Sequence, residues 1–279
     1  MESASMDTEL ETVLAIAREA AEIVRAVYRT AFAVEMKGPN DPVTRADREA
    51  NTLICARLAE TFPGDPIIAE ETPPETAAEA RRMVQNKRVF FVDPLDGTRE
   101  FADRNPEFAV MIGLAVGGRA TLGVVVMPES GEALCGRVGA SPAAFLEASD
   151  GTRRPLRVTD QRDPSKATMM VSRSHRPHLT EPFAKRIGVH RVVPCGSVGV
   201  KVARVCTGEA EIYVHGGTGV KLWDTCGPEA ILVAAGGRFA DLDGAPIDYA
   251  YGGLKLENGL VATNAALYDT VIEAISALR

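Results

Sequence analysis

The chain has 279 residues, of which 46% are hydrophobic and 25% charged, with a formal net charge of −7. That length and composition suit a globular protein with one large core or two packed subdomains. The acidic balance and the lack of a basic stripe disfavour a nucleic-acid polymer as partner. A small phosphate ligand stays open, because a bound cation can reverse the local field.

Apolar residues from Thr8 to about Phe32 fall at helical spacing, with Leu10, Val13, Leu14, Ala17, Ala21, Val24 and Tyr28 on one stripe. Lys37-Gly-Pro-Asn-Asp-Pro42 breaks this helix, and a second runs from near Thr44 to Thr61. Ile67–Ala69 reads as a short strand ending at Glu70-Glu71, and Glu75 to Gln85 as a polar helix. A buried strand, Arg88–Val92, runs into Asp93-Pro-Leu-Asp-Gly-Thr98. Strand-like runs follow at 108–116, 120–127, 132–137 and 143–147, with Gly117-Gly118 as a hairpin turn.

The irregular stretch 150–164 suggests a boundary between subdomains 1–155 and 156–279. Strands at 167–171, 189–193, 211–214, 237–241 and 260–262 then alternate with helices at 178–187, 199–207, 225–235 and 265–278. An antiparallel-rich first half and an alternating second half predict a layered α/β sandwich.

Five widely spaced cysteines without a CxxC pair argue against a disulfide framework or zinc knuckle. The N-terminus is polar and acidic, unlike a signal peptide. No apolar run approaches the roughly 20 residues of a membrane span. A cytoplasmic protein with reduced cysteines is the expectation.

Asp93 and Asp96 bracket a tight turn at the end of a buried strand. Two such carboxylates, joined by the Leu95 carbonyl, form a hard-oxygen cage suited to Mg²⁺. Gly97 lets backbone approach a ligand, and the N–H groups of Gly97 and Thr98 are candidates to hold phosphate oxygens. The plain alternative is an Asx turn with a solvated aspartate. Glu70-Glu71 alone reads as an acidic loop. Asp47 fits the third helical position of a capping box opened by Thr44. Asp224, after the single tryptophan Trp223, alone reads as a helix N-cap. Four separated acidic segments at strand ends or helix starts would, if they converged, need cations to coexist.

These segments carry a resemblance. Asp41-Pro-Val-Thr-Arg-Ala-Asp47, Ile68-Ala-Glu-Glu71, Asp93-Pro-Leu-Asp-Gly-Thr98 and Trp223-Asp224 follow the order and spacing of the inositol monophosphatase-like superfamily. The likeness runs from the first helix to the last. It implies a Mg²⁺-dependent, lithium-sensitive phosphatase with an α-β-α-β-α sandwich. Within the superfamily the chain looks most like 3′(2′),5′-bisphosphate nucleotidases, through Val171-Ser-Arg-Ser-His175, Thr98-Arg-Glu-Phe101 and Trp223-Asp-Thr-Cys-Gly-Pro-Glu229. Arg99 replaces their lysine and Gly227 their alanine, both read as conservative.

The resemblance implies two to three Mg²⁺ ions. Glu70, Asp93 and the Leu95 carbonyl would hold one, and Asp93, Asp96 and Asp224 a second. A weaker third would use Glu70 and waters. Thr98 would orient the attacking water with Asp47 as base, and Glu71 would act through waters. Gly97 and Thr98 would hold the scissile phosphate. Ser172, His175, Gly196, Ser197 and Lys201 are candidates for the nucleoside and its second phosphate. For Gly196-Ser197 a plain helix cap is the alternative, for Lys201 a solvated helix face, and for Ser172 and His175 a polar strand end.

The expected substrate is a small phosphorylated metabolite, adenosine 3′,5′-bisphosphate first. An inositol or other sugar phosphate is the rival, and a non-catalytic nucleotide- or cation-binding protein the rival of another class. Lithium inhibition and a monomer are expected. His175-x-x-His178 lacks a third metal ligand, Asp241-Leu-Asp243-Gly244 fails the EF-hand pattern, and neither a P-loop nor a GxSxG elbow occurs.

Overall fold

A computed structural model describes residues 2–38, 41–173, 179–217 and 219–279, with side chains from residue 7 onward. Helix α1 (Glu2–Tyr28) leads to a small antiparallel hairpin, β1 (Glu35–Gly38) and β2 (Asp41–Val43), and then to α2 (Arg45–Thr61). Next come β3 (Ile67–Ala69), α3 (Ala77–Val84), β4 (Arg88–Asp96) and the short α4 (Thr98–Ala102). The strands β5 (Ala109–Val116), β6 (Arg119–Met127), β7 (Glu132–Arg137), β8 (Ala143–Glu147) and β9 (Arg153–Pro155) form a meander. The rest alternates: β10 (Thr168–Ser172), α5 (Thr180–Ile187), β11 (Arg191–Cys195), α6 (Val198–Cys206) and β12 (Ile212–His215). It ends with α7 (Leu222–Ala234), β13 (Gly237–Ala240), β14 (Leu260–Asn264) and α8 (Tyr268–Ser276).

Strands β3 to β9 make one seven-stranded sheet in sequence order, and a five-stranded sheet runs β11-β10-β12-β14-β13. In the large sheet only the β3–β4 pair is parallel. Helices α1 and α2 cover its outer face, where Val13, Ala17, Ala20, Ile54 and Leu58 meet Phe90, Val92, Ile112 and Val124. Helices α6 and α7 fill the space between the sheets. Phe183 of α5 and Val271 and Ile275 of α8 cover the far face of the small sheet. The layers are therefore α-β-α-β-α.

The central layer is held by a groove of glycines. Gly113, Gly123 and Gly136 lie in register on β5, β6 and β7. A Cβ on Gly123 would stand 2.0 Å from the Gly227 carbonyl oxygen, and one on Gly136 would stand 2.5 Å from the Ile231 Cα. Helix α7 thus rests on bare backbone. Gly227 is part of the same contact, since a Cβ there would stand 2.9 Å from the Ile112 carbonyl. The exchange of alanine for Gly227 is therefore not conservative in this packing. It goes with a close approach that an alanine would have to push apart.

The β1–β2 hairpin was not expected from the sequence. Its positions are mostly exposed and Pro42 lies within it, so it lacks the apolar alternation that marks a strand. Helix α7 starts earlier than expected, at Leu222 with Lys221 as N-cap. Asp224 is accordingly not the N-cap. It sits at the third helical position, where its carboxylate accepts from the Lys221 N–H at 2.8 Å.

Candidate active site

The acidic segments meet where β3, β4, α2 and α7 end or begin. Strand β4 departs from regular pairing with β5 between Asp93 and Asp96, and a bulge of this kind re-aims side chains. Asp93 Oδ1 accepts from the Leu95 N–H at 3.0 Å, which closes the turn. Gly97 follows at φ +97°, a left-handed conformation, and a Cβ there would stand 2.9 Å from the Glu107 carbonyl oxygen. Only glycine satisfies both conditions cheaply.

Thr98 opens α4. Its hydroxyl lies 2.9 Å from Asp47 Oδ1 and 3.0 Å from the Leu95 carbonyl oxygen. Asp47 is 1% exposed. Its Oδ2 accepts from both the N–H and the hydroxyl of Thr44, each at 2.7 Å. The helix-capping contact and the contact to Thr98 therefore use different oxygens of one carboxylate. Burial raises the Asp47 pKa, opposed by these hydrogen bonds.

Asp93 and Asp224 are raised well above the ordinary carboxylate range. Burial is the main cause. Asp93 also feels the charges of Glu70, Asp96 and Asp224, and Asp224 those of Asp96 and Glu70. Glu70 is pushed up to about 7, by burial first, against the pull of Lys37. Among the described residues no three acidic, histidine or cysteine side chains stand close enough to form a ready-made metal cage. Several acids have other partners. Lys37 on β1 donates to Glu70 Oε1 at 2.9 Å and to Glu71 Oε1 at 2.6 Å. Asp96 Oδ2 accepts from the Ser197 hydroxyl at 2.5 Å and the Gly199 N–H at 2.7 Å. The donor chemistry still fits a hard divalent cation, being all oxygen, buried and mutually repelling.

Beside these acids opens a cavity of about 570 Å³. Asp96, Gly97, Thr98 and Asp224 line it. Ser172, Gly196, Ser197 and Lys201 line it too, and Ser197 is bonded directly to Asp96. Asp47, Glu70, Glu71, Asp93 and Leu95 are not on the cavity wall. They stand behind it or beside it. Ser197 is the N-cap of α6, with φ 53°, and its Oγ accepts from the Val200 N–H at 3.0 Å. Lys201 is only 3% exposed. Its ammonium donates to the carbonyls of Cys195 and Gly196 at 3.4 and 3.2 Å, beneath the turn. A solvated helix face is thereby ruled out for it. His175 and His178 lie outside the described residues.

The sequence reading missed several residues here. Lys37 was read only as part of a helix break. Arg99, Glu100, Arg173, Tyr213 and His215 also line the cavity. His215 ends the central strand β12 and Tyr213 lies two residues before it, on the same face; polar side chains at the carboxyl end of a strand were the signal available. Glu107, in the loop before β5, bonds to Arg173, Arg204 and the Gly196 N–H, and no local pattern announces it.

A profile of the inositol monophosphatase family matches residues 5–278. The 3′(2′),5′-bisphosphate nucleotidase CysQ of Escherichia coli O157:H7 is 35% identical over 242 residues, covering 86% of this chain and 93% of the relative. Inositol monophosphatase 1 of Homo sapiens is 27% identical over 278 residues, covering 96% and 94%. Among solved structures, the Thermotoga maritima IMPase superimposes with a TM-score of 0.80 at 23% identity, covering 97% of this chain and 98% of that one, and so matches the fold. With its layers, its acids and these relatives in agreement, the chain belongs to the inositol monophosphatase family and is a phosphatase.

Proposed function

We propose that this phosphatase removes the 3′-phosphate of adenosine 3′,5′-bisphosphate in a Mg²⁺-dependent reaction. The observation that carries hydrolysis is the Thr98 hydroxyl 2.9 Å from the buried Asp47 carboxylate, at the edge of a carboxylate-flanked cavity. The nucleotide reading is supported by the greater identity to the bisphosphate nucleotidase, 35% against 27% for the inositol monophosphatase.

Glu70, Asp93, the Leu95 carbonyl, Asp96 and Asp224 would hold two to three Mg²⁺ ions. When bound, the cations neutralise the phosphoryl charge and acidify water. The chain's own residues supply position and proton transfer. Gly97 and Thr98 hold the scissile phosphate. The Thr98 hydroxyl orients a water for in-line attack, taking a proton from it as it gives its own to Asp47 Oδ1. The new P–O bond forms from that water and the bond to the 3′-oxygen breaks; that oxygen takes a proton from a solvent water, Asp47 returns its proton to solvent, and AMP and phosphate result. Glu71 steadies the surrounding waters. Ser172, Gly196, Ser197 and Lys201 shape the nucleoside site, and His175 is kept as a candidate for the nucleotide on the sequence resemblance alone. Lithium is expected to inhibit.

The test is phosphate release with Mg²⁺ from adenosine 3′,5′-bisphosphate and from inositol 1-phosphate, with Asp96→Asn beside the wild type. A preference for the nucleotide, lost by at least about 100-fold in the variant, is expected. Preference for the inositol ester would discard the substrate and keep the chemistry. Full activity of Asp96→Asn would discard the cation site.

A further inference from the structure

Glu107 touches three separate lining segments of the cavity, at Gly97, Gly196 and Arg173, without lining it itself. Its backbone carbonyl packs against Gly97, where a Cβ would stand only 2.9 Å from that oxygen. Its side chain reaches the ends of β10 and β11 in the second half of the chain. Oε2 accepts from the Gly196 N–H at 2.9 Å and from the Arg173 guanidinium, and Oε1 accepts from Arg204 at 3.3 Å. Gly196 and Arg173 both line the cavity. Gly196 and Arg173 follow two neighbouring parallel strands, β11 and β10, and Arg204 stands on α6. One carboxylate from the first half of the chain therefore fixes three points of the second.

The loop carrying Glu107 is itself held. The Glu107 N–H donates to Asn105 Oδ1 at 3.1 Å, and the Asn105 N–H donates to the Glu100 carbonyl at 2.8 Å. Beside it, the Glu100 side chain presses on Gly196 so closely that a Cβ there would stand 2.3 Å from its Cδ. The turn before α6 thus rests on Glu100 and is pulled in by Glu107. Burial opposes the Glu107 charge, yet Arg173, the Gly196 N–H and Arg204 hold its carboxyl below the usual range. It stays ionised through the neutral range.

We infer that Glu107 is a positioning residue for substrate: it holds the Gly196 turn and the Arg173 side chain at the distance from Gly97 and Thr98 that the non-reacting part of the substrate requires. Its carboxylate bonds to none of the acids, and its contact with Gly97 is made by the backbone carbonyl, which a side-chain substitution leaves in place, so the side chain acts on binding of the substrate's remainder. The inference rests on the proposed reading of the cavity as the substrate site.

The experiment compares wild type, Glu107→Ala and Glu107→Gln on adenosine 3′,5′-bisphosphate and on p-nitrophenyl phosphate, an ester too small to span the cavity, with Mg²⁺ and melting temperatures recorded. For Glu107→Ala the nucleotide KM is expected to rise about tenfold while kcat falls less than about threefold, the signature of lost ground-state and transition-state binding alike. Glu107→Gln, which keeps the acceptor for Gly196 but not the charge for the arginines, is expected between the two. The double variant Glu107→Ala/Arg173→Ala should be little worse than either single one, since the two act as a unit.

An unchanged nucleotide KM in both variants would overturn the inference. So would equal losses on both esters with a fall in melting temperature, which mark a plain folding role. Should wild type prefer inositol 1-phosphate, the nucleotidase reading fails alone. The same KM comparison on the inositol ester then decides Glu107.

Discussion

Helix α7 and the β1–β2 hairpin both bring charge to the acidic cluster, and they are built in opposite ways. Asp224 arrives on a helix seated on three glycines of the large sheet, with Trp223, Cys226, Ala230 and Ile231 buried in the central layer. Lys37 arrives on a two-stranded hairpin with mostly exposed positions. A two-stranded hairpin is marginal by itself in water. Much of what ties this one down is polar: Lys37 to Glu70 and Glu71, and Arg48 to Glu35. An acid whose position sets the site is fixed by backbone packing. A lysine that offsets the charge of Glu70 and Glu71 is fixed by ion pairs that other cations can compete with.

The sharpest break of that contrast is Gly123→Ala. Its Cβ would overlap the Gly227 carbonyl, and two backbones must separate to admit it. Overpacking of this sort costs about 1–3 kcal/mol or more. We expect the upper end, seen as a large fall in melting temperature, together with weakened cation binding as α7 lifts Asp224 away. Normal stability and normal Mg²⁺ affinity in this variant would show that α7 is not seated as tightly as described.

The same helix carries a second, quieter strain. Glu229 is 3% exposed and accepts from the Tyr249 hydroxyl at 2.7 Å, with Arg119 at 3.7 Å. Burial pushes its pKa up to about 7 from an ordinary 4.5. Between those values the folded protein binds more protons than the unfolded chain. The stability from the protonated acid is thus fully present below about 4.5 and is lost as pH rises through about 7. Saturating Mg²⁺ removes the similar contribution of Glu70. Under that condition Glu229→Gln should flatten the slope and gain up to about 3 kcal/mol at pH 8. Denaturant unfolding at pH 5 and pH 8 reads it, and an unchanged slope would refute it.

What the sequence disclosed follows this division. Helical spacing located α1, breakers on either side located α2, and apolar runs located the meander, whose strands β5 to β7 are mostly buried on both faces. The turn at Asp93–Thr98 was legible because Asp, Pro and Gly at a strand end have few other uses. Asp47 and Thr98, 51 positions apart, read by themselves as a cap and a turn residue; the family resemblance paired them, and the fold sets them 2.9 Å apart. The glycine groove was invisible, since Gly113, Gly123 and Gly136 look like ordinary weak points in strands until α7 is laid across them. Glu107 and Lys37 were missed for a related reason: each acts through partners at least 30 residues away.

The mildest variant tests the hairpin itself. Lys37→Met keeps the length of the side chain and removes its charge. In the cation-free protein Glu70 and Glu71 then lose their counter-ion, while a Mg²⁺-loaded site has no need of Lys37 there. The cation-free state is weakened and the loaded state is not, so Mg²⁺ should bind more tightly. For a partly exposed pair worth about 1 kcal/mol or less, the gain is at most about fivefold in affinity. Calorimetric titration with Mg²⁺ reads the affinity, and the rise in melting temperature on adding Mg²⁺ should grow in step. Tightening places Lys37 as a competitor for the cation. Weakening would mean that Lys37 supports the loaded site, and that the hairpin belongs with α7 as part of its frame.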